Sequence, residues 1–222
     1  MICIIPARKN SKGLKNKNIK KLNGIPLIEH SVNTAKKSKK ITEIYISTDN
    51  KKILRYFEKD RYVNIPFLRP KKLSSDNTKS IDVYLHMVNY LNKKKKFKDF
   101  CVLLPTCPIR NPKLIDKAIN IFHRNKPDYL ISVVKTKPLE FQFKINKKNY
   151  LCKIKNIKSS VDNRQKLNQI YSPNGSLYIF NVDALKKDKS FMTNKTYCFE
   201  MNKYFSQDID DKIDFSIIKK LI

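Results

Sequence analysis

The apolar positions along the chain follow two alternating patterns. Short continuous apolar runs, such as residues 2–5 and 99–104, are typical of strands that are buried on both faces of a sheet. Longer segments with apolar residues every three or four positions, such as residues 27–35 and 76–91, are typical of amphipathic helices. Because the two patterns alternate, the sequence predicts an α/β fold with a doubly wound, mostly parallel sheet.

The complete pattern describes one domain that spans residues 1–222. Its predicted strands cover residues 2–5, 43–47, 62–67, 99–104, 129–134 and 175–181. Its predicted helices cover residues 27–35, 53–57, 76–91, 112–122 and 214–222. Residues 138–172 break the alternation, and we interpret them as a small hairpin-like extension of the same domain.

The formal net charge of +29 suggests a nucleic-acid partner, but its distribution argues against one. Only seven of the 48 basic residues are arginines, and the lysines are spread along the whole chain. Specific phosphate and base recognition relies more on arginine, whose planar fork makes bidentate contacts. We therefore expect no specific nucleic-acid partner, and keep a non-catalytic, basic nucleic-acid or phosphate-binding protein as the alternative.

Membrane and disulfide chemistry are not expected either. No run of eighteen apolar residues is present, and the N-terminal strand has no basic segment before it, unlike a signal peptide. The five cysteines are odd in number and lack metal-ligand spacing. Cys3 and Cys101 lie in apolar runs and are expected to pack as small hydrophobes. These features together predict a cytoplasmic protein.

A polar, lysine-rich loop follows the first predicted strand. Arg8, Lys12 and Lys17 supply positive charge there, and Asn10 and Ser11 supply short polar side chains. In open α/β sheets, the carboxyl end of a buried strand opens onto a crevice where cations and backbone N–H groups meet an anion. The loop has one glycine and matches neither the Walker nor the dinucleotide motif. Taken alone, it fits a phosphate site and a solvated basic loop equally well.

Four aspartates cluster near the end of a chain that has only 19 acidic residues: Asp208, Asp210, Asp211 and Asp214. Residues i and i+2 of an extended segment point to the same side, so Asp208 and Asp210 could hold a hard divalent cation that also touches phosphate oxygens. The alternative is a helix N-terminal cap, which acidic side chains stabilise. Asp211 fits a cap better than a ligand.

Several motifs occur in a fixed order along the chain. They are IIPARKNSKGLKNKN at 4–18, STD at 47–49, LRP at 68–70, LSSD at 73–76, PTCPIR at 105–110, RQ at 164–165, PNGSLY at 173–178 and DID at 208–210. Through this combination, the sequence resembles the acylneuraminate cytidylyltransferases, which make CMP-activated sialic acids and related nonulosonates.

The resemblance implies a fold, a reaction and a set of partners. The fold would be the Rossmann-like fold of nucleotide-diphospho-sugar transferases, and the enzyme would be a homodimer through the extension. It would transfer CMP from CTP to the anomeric hydroxyl of a nonulosonic sugar acid, with Mg²⁺ as cofactor, and release pyrophosphate.

The resemblance also implies roles for individual residues. Arg8 and Lys17 would hold the phosphates, and Asp208 and Asp210 would bind Mg²⁺; Arg8, Lys17 and Asp210 form the expected catalytic set. The residues expected to bind substrate are Asn10, Ser11, Arg69, Ser80, Thr106, Arg164, Asn174 and Tyr178. Among them, Arg164 would meet the carboxylate of the sugar acid. For Tyr178 a role in the core is an open alternative.

The sequence departs from the sialic-acid pattern where the sugar would bind. Leu104 stands where the family commonly has Gln, Ser172 where an Arg is common, and Glu140 where bacterial sialic-acid enzymes have a Lys. Replacing a buried donor by leucine changes which polar groups of a substrate can be satisfied. The acceptor is therefore expected to be another nonulosonic acid, of legionaminate or pseudaminate type, or a different 2-keto-3-deoxy sugar acid.

Overall fold

The computed structural model describes residues 1–11, 13–154 and 167–222. The strands are β1 (Ile2–Ala7), β2 (Lys21–Leu22), β3 (Ile25–Pro26), β4 (Glu43–Thr48), β5 (Val63–Asn64), β6 (Asp99–Val102), β7 (Tyr129–Lys135), β8 (Phe143–Ile145), β9 (Leu151–Lys153), β10 (Tyr171–Asn181) and β11 (Thr196–Glu200). The helices are α1 (Leu27–Lys37), α2 (Lys51–Phe57), α3 (Ser80–Asn92), α4 (Pro112–Asn125), α5 (Val182–Asp188) and α6 (Lys212–Leu221). Short 3₁₀ helices, among them Lys17–Ile19, lie in the loops.

Seven strands form the central sheet, in the order β5-β4-β1-β6-β10-β7-β11. Within this sheet, as far as the structure describes the chain, β10 alone runs antiparallel to its neighbours. Strand β1 pairs in parallel with β4 on one side and β6 on the other. The carboxyl ends of these three strands are therefore adjacent, and the residues that follow them share one edge of the sheet.

Both faces of the sheet are covered by helices, so the predicted doubly wound α/β architecture is confirmed. Alternate residues of β1 point to opposite faces, as a strand requires. Cys3 and Ile5 pack with α1, α2 and α4, whereas Ile2 and Ile4 pack with α3 and α5. Cys3 and Cys101 are fully buried, as expected of small hydrophobes, and all five cysteines are free thiols.

Some predicted elements differ from the structure. The strand predicted over 62–67 is only two residues long, and the helix predicted from residue 76 begins at Ser80. Lys79 precedes that helix without a side-chain cap, since a lysine has no acceptor to offer, and Asp76 lies in the preceding loop, where it pairs with Arg8. Within the predicted extension, β8 and β9 form an antiparallel hairpin, but residues 171–172 already belong to β10 of the main sheet.

Four elements were not predicted. Helix α5 and edge strand β11 lie beyond residue 181, and β2 and β3 form a small hairpin. Asn23 and Gly24 turn this hairpin with φ of 49° and 86°, the sign of φ that an Asn-Gly turn favours. No described helix is long and apolar enough to cross a membrane.

Candidate nucleotide site

A cleft of about 500 Å³ opens at the carboxyl ends of β1 and β6. Four distant parts of the chain supply its walls. The lining residues are Pro6, Arg8, Ser11, Gly13, Lys17, Asn18, Arg69, Leu104, Pro105, Thr106 and Asp210. Six predicted site residues, namely Arg8, Ser11, Lys17, Arg69, Thr106 and Asp210, are therefore brought together. The place of the cleft, beyond the ends of parallel strands, is where open α/β sheets bind their ligands.

Arg69 is the most deeply buried cation of the cleft, with 5% of the residue exposed. A backbone hydrogen bond of 2.7 Å from its N–H to the Thr48 carbonyl ties it to the end of β4. Its nearest carboxylate oxygen, on Asp49, lies 3.8 Å from Nη2. Within the described residues, Nε and Nη2 of Arg69 donate no hydrogen bond. Burial lowers the pKa of this guanidinium, and buried donors without acceptors are costly, so the arrangement favours an anionic ligand.

Arg8 follows β1 and is more exposed than Arg69. Its Nη1 donates to Asp76 Oδ1 at 2.6 Å, and the two side chains are 33% and 46% exposed. Its backbone is held separately, because Asn18 Nδ2 donates to the Arg8 carbonyl at 2.9 Å. The next N–H, of Lys9, donates to Asp49 Oδ1 at 2.7 Å. Asp49 thus stands between the first loop and Arg69.

Lys17 joins the first loop to the end of the chain. Its Nζ donates to the Ile209 carbonyl at 2.6 Å and lies 3.5 Å from Asp210 Oδ1. The Lys17 side chain is only 11% exposed, whereas that of Asp210 is 82% exposed. The cation is therefore fixed in the wall of the cleft while its carboxylate partner faces solvent.

Close packing holds the first loop against the acidic segment. A Cβ added to Gly13 would lie 2.1 Å from the Asp210 carbonyl oxygen, so no side chain fits there. Leu14 and Ile209 are buried in one apolar cluster beneath α6. The Ile209 N–H donates to the Thr106 carbonyl at 2.9 Å. The loop after β6 therefore also contacts the acidic segment.

The structure separates the capping aspartates from the other two. Asp211 is the N-cap of α6 and accepts from the N–H groups of Ile213 and Asp214, as expected of a cap. Asp214 Oδ2 accepts from the N–H groups of Asp210 and Asp211 and completes a capping box. The side chains of Asp208 and Asp210 take no part in the cap.

Asp208 and Asp210 suit a magnesium ion that is shared with a ligand. Both are exposed and flank the buried Ile209, which agrees with side chains that alternate along an extended segment; the shared metal site itself stays a prediction. Within the described part of the chain, no three His, Cys, Asp or Glu side chains are grouped to hold a metal by themselves. Mg²⁺ is typically held by one or two carboxylates together with substrate phosphates and water, so two carboxylates beside a phosphate site fit its requirements.

A second group of polar residues lies around Cys107, beside Asp208. The Cys107 thiol is 3.3 Å from the Asn174 carbonyl and 3.6 Å from Asp208 Oδ1, and it donates to these acceptors. Burial raises the pKa of Cys107 to about 12, so the thiol stays protonated and is no nucleophile. A Cβ on Gly175, which has φ of +73°, would approach Sγ to 3.2 Å.

Asn174 and Tyr178 make extensive contacts within the protein. The Asn174 amide bonds to Ser132, Ser176 and Ser206. The Tyr178 ring stacks on Phe180, with 6.1 Å between centroids, and burial raises the pKa of Tyr178 to about 12. These contacts match the core role considered for Tyr178, and binding of substrate by either residue stays a prediction.

The remaining predicted residues lie apart from the cleft lining. Asn10 is exposed in the first loop and Ser80 begins α3; neither lines the cleft. Arg164, and Lys12 of the first loop, lie outside the described residues.

Sequence reasoning did not select Asn18, Asp49 or Arg110 for the site. Arg110 braces the floor of the cleft by donating to the carbonyls of Leu104 and Ser176 and to the Ser31 hydroxyl. Burial lowers the pKa of its guanidinium. The rarity of arginine in this chain was the signal that could have drawn attention to Arg110.

These observations define the class of the protein. A mostly parallel sheet with helices on both faces, and a cationic cleft at the carboxyl ends of its strands, is an α/β nucleotide-binding architecture. The chain belongs to the cytidylyltransferase family, whose sequence profile matches residues 2–221.

Relatives of known name agree with this assignment. The N-acylneuraminate cytidylyltransferase of Streptococcus agalactiae is 31% identical over 217 residues, which are 96% of this chain and 51% of that protein. The chain thus spans about half the length of this relative. The CMP-N,N'-diacetyllegionaminic acid synthase of Legionella pneumophila is 31% identical over 226 residues and is matched over 96% of its length.

A solved structure supports the fold. It is a CMP:2-keto-3-deoxy-manno-octonic acid synthetase complexed with CTP, and the similarity covers 99% of this chain and 97% of that one with a TM-score of 0.72. At 14% sequence identity, this likeness concerns the fold alone.

Proposed function

We propose that the protein transfers CMP from CTP to the anomeric hydroxyl of a nonulosonic sugar acid and releases pyrophosphate. The observation that carries the proposal is the buried Arg69 guanidinium, whose Nε and Nη2 donate no hydrogen bond among the described residues and which stands in a cleft with Arg8 and Lys17. Such a cleft favours a polyanion, and membership of the cytidylyltransferase family narrows the polyanion to CTP.

The residues of the cleft suit the charge changes of this reaction. The anomeric oxygen forms a bond to the α-phosphorus, and the bond from that phosphorus to the pyrophosphate oxygen breaks. Negative charge grows on the leaving oxygen, and fixed cations stabilise such charge most strongly when they need no rearrangement. Lys17 is fixed by the Ile209 carbonyl, and Arg69 by its burial.

Asp208 and Asp210 would hold Mg²⁺ in this proposal. When bound, the ion would neutralise phosphate charge and act as a Lewis acid toward the phosphate oxygens. Asp210 also stands 3.5 Å from Lys17, so the same carboxylate faces both the expected metal and the fixed cation.

The acceptor is proposed to be of legionaminate or pseudaminate type. The named relatives act on different sugar acids, and Leu104, which lines the cleft, offers an apolar side chain where sialic-acid enzymes commonly have Gln. A site without that amide leaves fewer polar groups of a sialic acid satisfied. Another 2-keto-3-deoxy sugar acid, the class named for the structural neighbour, is the second candidate.

Pyrophosphate release tests the reaction. The protein is incubated with Mg²⁺, with CTP, UTP, ATP or GTP, and with a panel of sialic, legionaminic, pseudaminic and 2-keto-3-deoxy-octonic acids. We expect turnover with CTP and one nonulosonate, and calorimetric binding of CTP in preference to the other nucleotides. Equal binding of all four nucleotides without turnover would instead support the non-catalytic phosphate-binding protein.

The hairpin of β8 and β9 is the proposed homodimer contact. Its apolar side chains are unusually exposed, with Ile145 at 75%, Tyr150 at 69% and Leu151 at 64%. Contiguous exposed apolar residues are typical of protein interfaces. Light scattering should show a dimer that Ile145→Asp converts to monomer, while the control Lys147→Asp in the same hairpin keeps the dimer. A monomeric wild-type protein would contradict this.

We also propose that the protein acts in the cytoplasm. Its five cysteines are free thiols, which suits a reducing compartment, and CTP is a cytoplasmic substrate.

A further inference from the structure

Among the described residues, the cleft is lined by three cations, Arg8, Lys17 and Arg69. Each of them has a carboxylate beside it, and the three pairs differ in kind. Arg69 is buried and its acid, Asp49, stays beyond hydrogen-bond distance. Lys17 is fixed by a backbone carbonyl. Arg8 alone makes a short charge-assisted hydrogen bond to its carboxylate, which comes from the loop before α3.

We propose that Asp76 competes with phosphate groups for Arg8 and thereby limits how tightly the cleft holds nucleotide and pyrophosphate. The inference rests on the proposed function, in which Arg8 binds a phosphate of CTP. Asp76 would weaken anion binding and so favour product release, whereas Arg8, Lys17 and Arg69 strengthen anion binding.

The exposure of the Arg8–Asp76 pair favours competition over positioning. Arg8 does not need Asp76 to place its main chain. The Arg8 backbone is already fixed by β1, by Asn18 Nδ2 on its carbonyl and by Asp49 on the following N–H. The Arg8–Asp76 pair is also half open to solvent, with 33% and 46% of the side chains exposed. Ion pairs this exposed contribute little and exchange readily.

Asp76 opposes the binding of a phosphate to Arg8 in either of two ways. If Asp76 stays, two anions share one guanidinium and repel each other; if it leaves, its hydrogen bond to Nη1 is lost. When the carboxylate becomes an amide, the repulsion disappears and the hydrogen bond to Nη1 becomes a weaker, neutral-acceptor bond that is easier to give up. By Coulomb's law, the repulsion between unit charges about 5–6 Å apart corresponds to roughly a fourfold change in affinity at the dielectric of water and to over about a hundredfold at the effective dielectric of a protein surface. For this half-exposed pair we expect a value between these limits, about tenfold.

Asp76→Asn is therefore expected to tighten binding. Calorimetry should show the Kd of inorganic pyrophosphate, and that of CTP, falling about tenfold, with stronger product inhibition by pyrophosphate in the release assay. Because the pair is exposed, the gain should shrink as salt rises from 50 mM to 500 mM. The matched control is Asp82→Asn, which removes the same charge from an exposed position on α3 and should leave both Kd values unchanged.

Arg8→Gln distinguishes an error in the competition by Asp76 from an error in the phosphate role of Arg8. It should weaken pyrophosphate binding, and adding Asp76→Asn to Arg8→Gln should recover much less affinity than Asp76→Asn gains alone. If Arg8→Gln weakens binding while Asp76→Asn leaves it unchanged or weakens it, the competition is wrong and the proposed function stands. If Arg8→Gln leaves pyrophosphate binding unchanged, the phosphate role of Arg8 is wrong, and the inference falls with it. Thermal melts without ligand confirm that each variant is folded.

Discussion

Replacing Arg69 by Met should stabilise the protein while it weakens nucleotide binding. Met keeps most of the volume of the side chain but removes a charge that is buried to 5% exposure. Asp49, the nearest acid, does not become an unpaired buried charge, because it keeps the Lys9 N–H at 2.7 Å and is 22% exposed. The substitution thus removes one member of a long ion pair and leaves the other, Asp49, with a hydrogen bond and partial exposure to solvent.

The magnitude follows from the hydrogen bonds that Arg69 does not make. Each buried donor without an acceptor costs about 1–3 kcal/mol, and two nitrogens of Arg69, Nε and Nη2, are such donors in the described structure. The attraction to Asp49 at 3.8 Å offsets part of this cost. Replacing buried charges by apolar groups is typically neutral or stabilising by about 1–4 kcal/mol. We expect a gain of roughly 1–2 kcal/mol, which is about 2–8 °C in Tm for a chain of this size.

Binding should change in the opposite direction. Loss of a buried, charge-assisted contact costs about 2–4 kcal/mol, which raises the Kd of CTP roughly thirtyfold or more. At a CTP concentration of about 100 times the wild-type Kd, ligand stabilises the wild type by about 2.7 kcal/mol, and a variant with a hundredfold higher Kd by only about 0.4 kcal/mol.

One thermal-shift experiment with and without CTP measures both effects. Arg55→Met, which removes the same type of charge from an exposed position on α2, is the control and should change neither quantity appreciably. The reasoning is refuted if Arg69→Met lowers the free energy of unfolding by more than about 1 kcal/mol, or if CTP stabilises the variant as much as it stabilises the wild type.

Three further predictions follow from other parts of the structure. Asp210→Asn should reduce turnover by orders of magnitude, whereas Asp211→Asn should cost about 1 kcal/mol of stability or less because Asn also caps helices. Steady-state kinetics and thermal melts on both variants test this, and near-normal turnover of Asp210→Asn would place the metal elsewhere. Gly13→Ala should destabilise by about 1–3 kcal/mol and weaken CTP binding, since its Cβ would meet the Asp210 carbonyl at 2.1 Å; denaturant melts that match the wild type would contradict that packing. The hydrogen bond from Lys95 holds the pKa of Glu43 below its ordinary value of 4.5, so this stabilisation is present at pH 7 and is lost as pH falls through the lowered pKa. Glu43→Gln should therefore lower the free energy of unfolding at pH 7 by under about 1 kcal/mol, and by less at pH 3. An equal loss at both pH values would show that charge is not the cause.

The sequence by itself determined the architecture and the edge of the sheet where the site lies. Continuous apolar runs such as β1 can be buried only between two layers, so their alternation with amphipathic helices specified the doubly wound sheet. Arg8 was identifiable because a strand end places the next residue at the ligand edge. The turn of Asn23 and Gly24 carried a local hairpin signal that was overlooked. Edge strand β11 and the antiparallel direction of β10 had no comparable local signal.

Only the tertiary structure decided which polar groups meet. Lys17 donates to Ile209, a residue 192 positions away, and Gly13 is required by the carbonyl of Asp210. Asp76 was expected to begin a helix but precedes α3 and pairs with Arg8, and Arg69 is left with unpartnered donors among the described residues. The physical reason is range: backbone propensities and apolar periodicity act between neighbours in the chain. A hydrogen bond or ion pair instead depends on separations of a few ångströms, which the packing of distant segments sets.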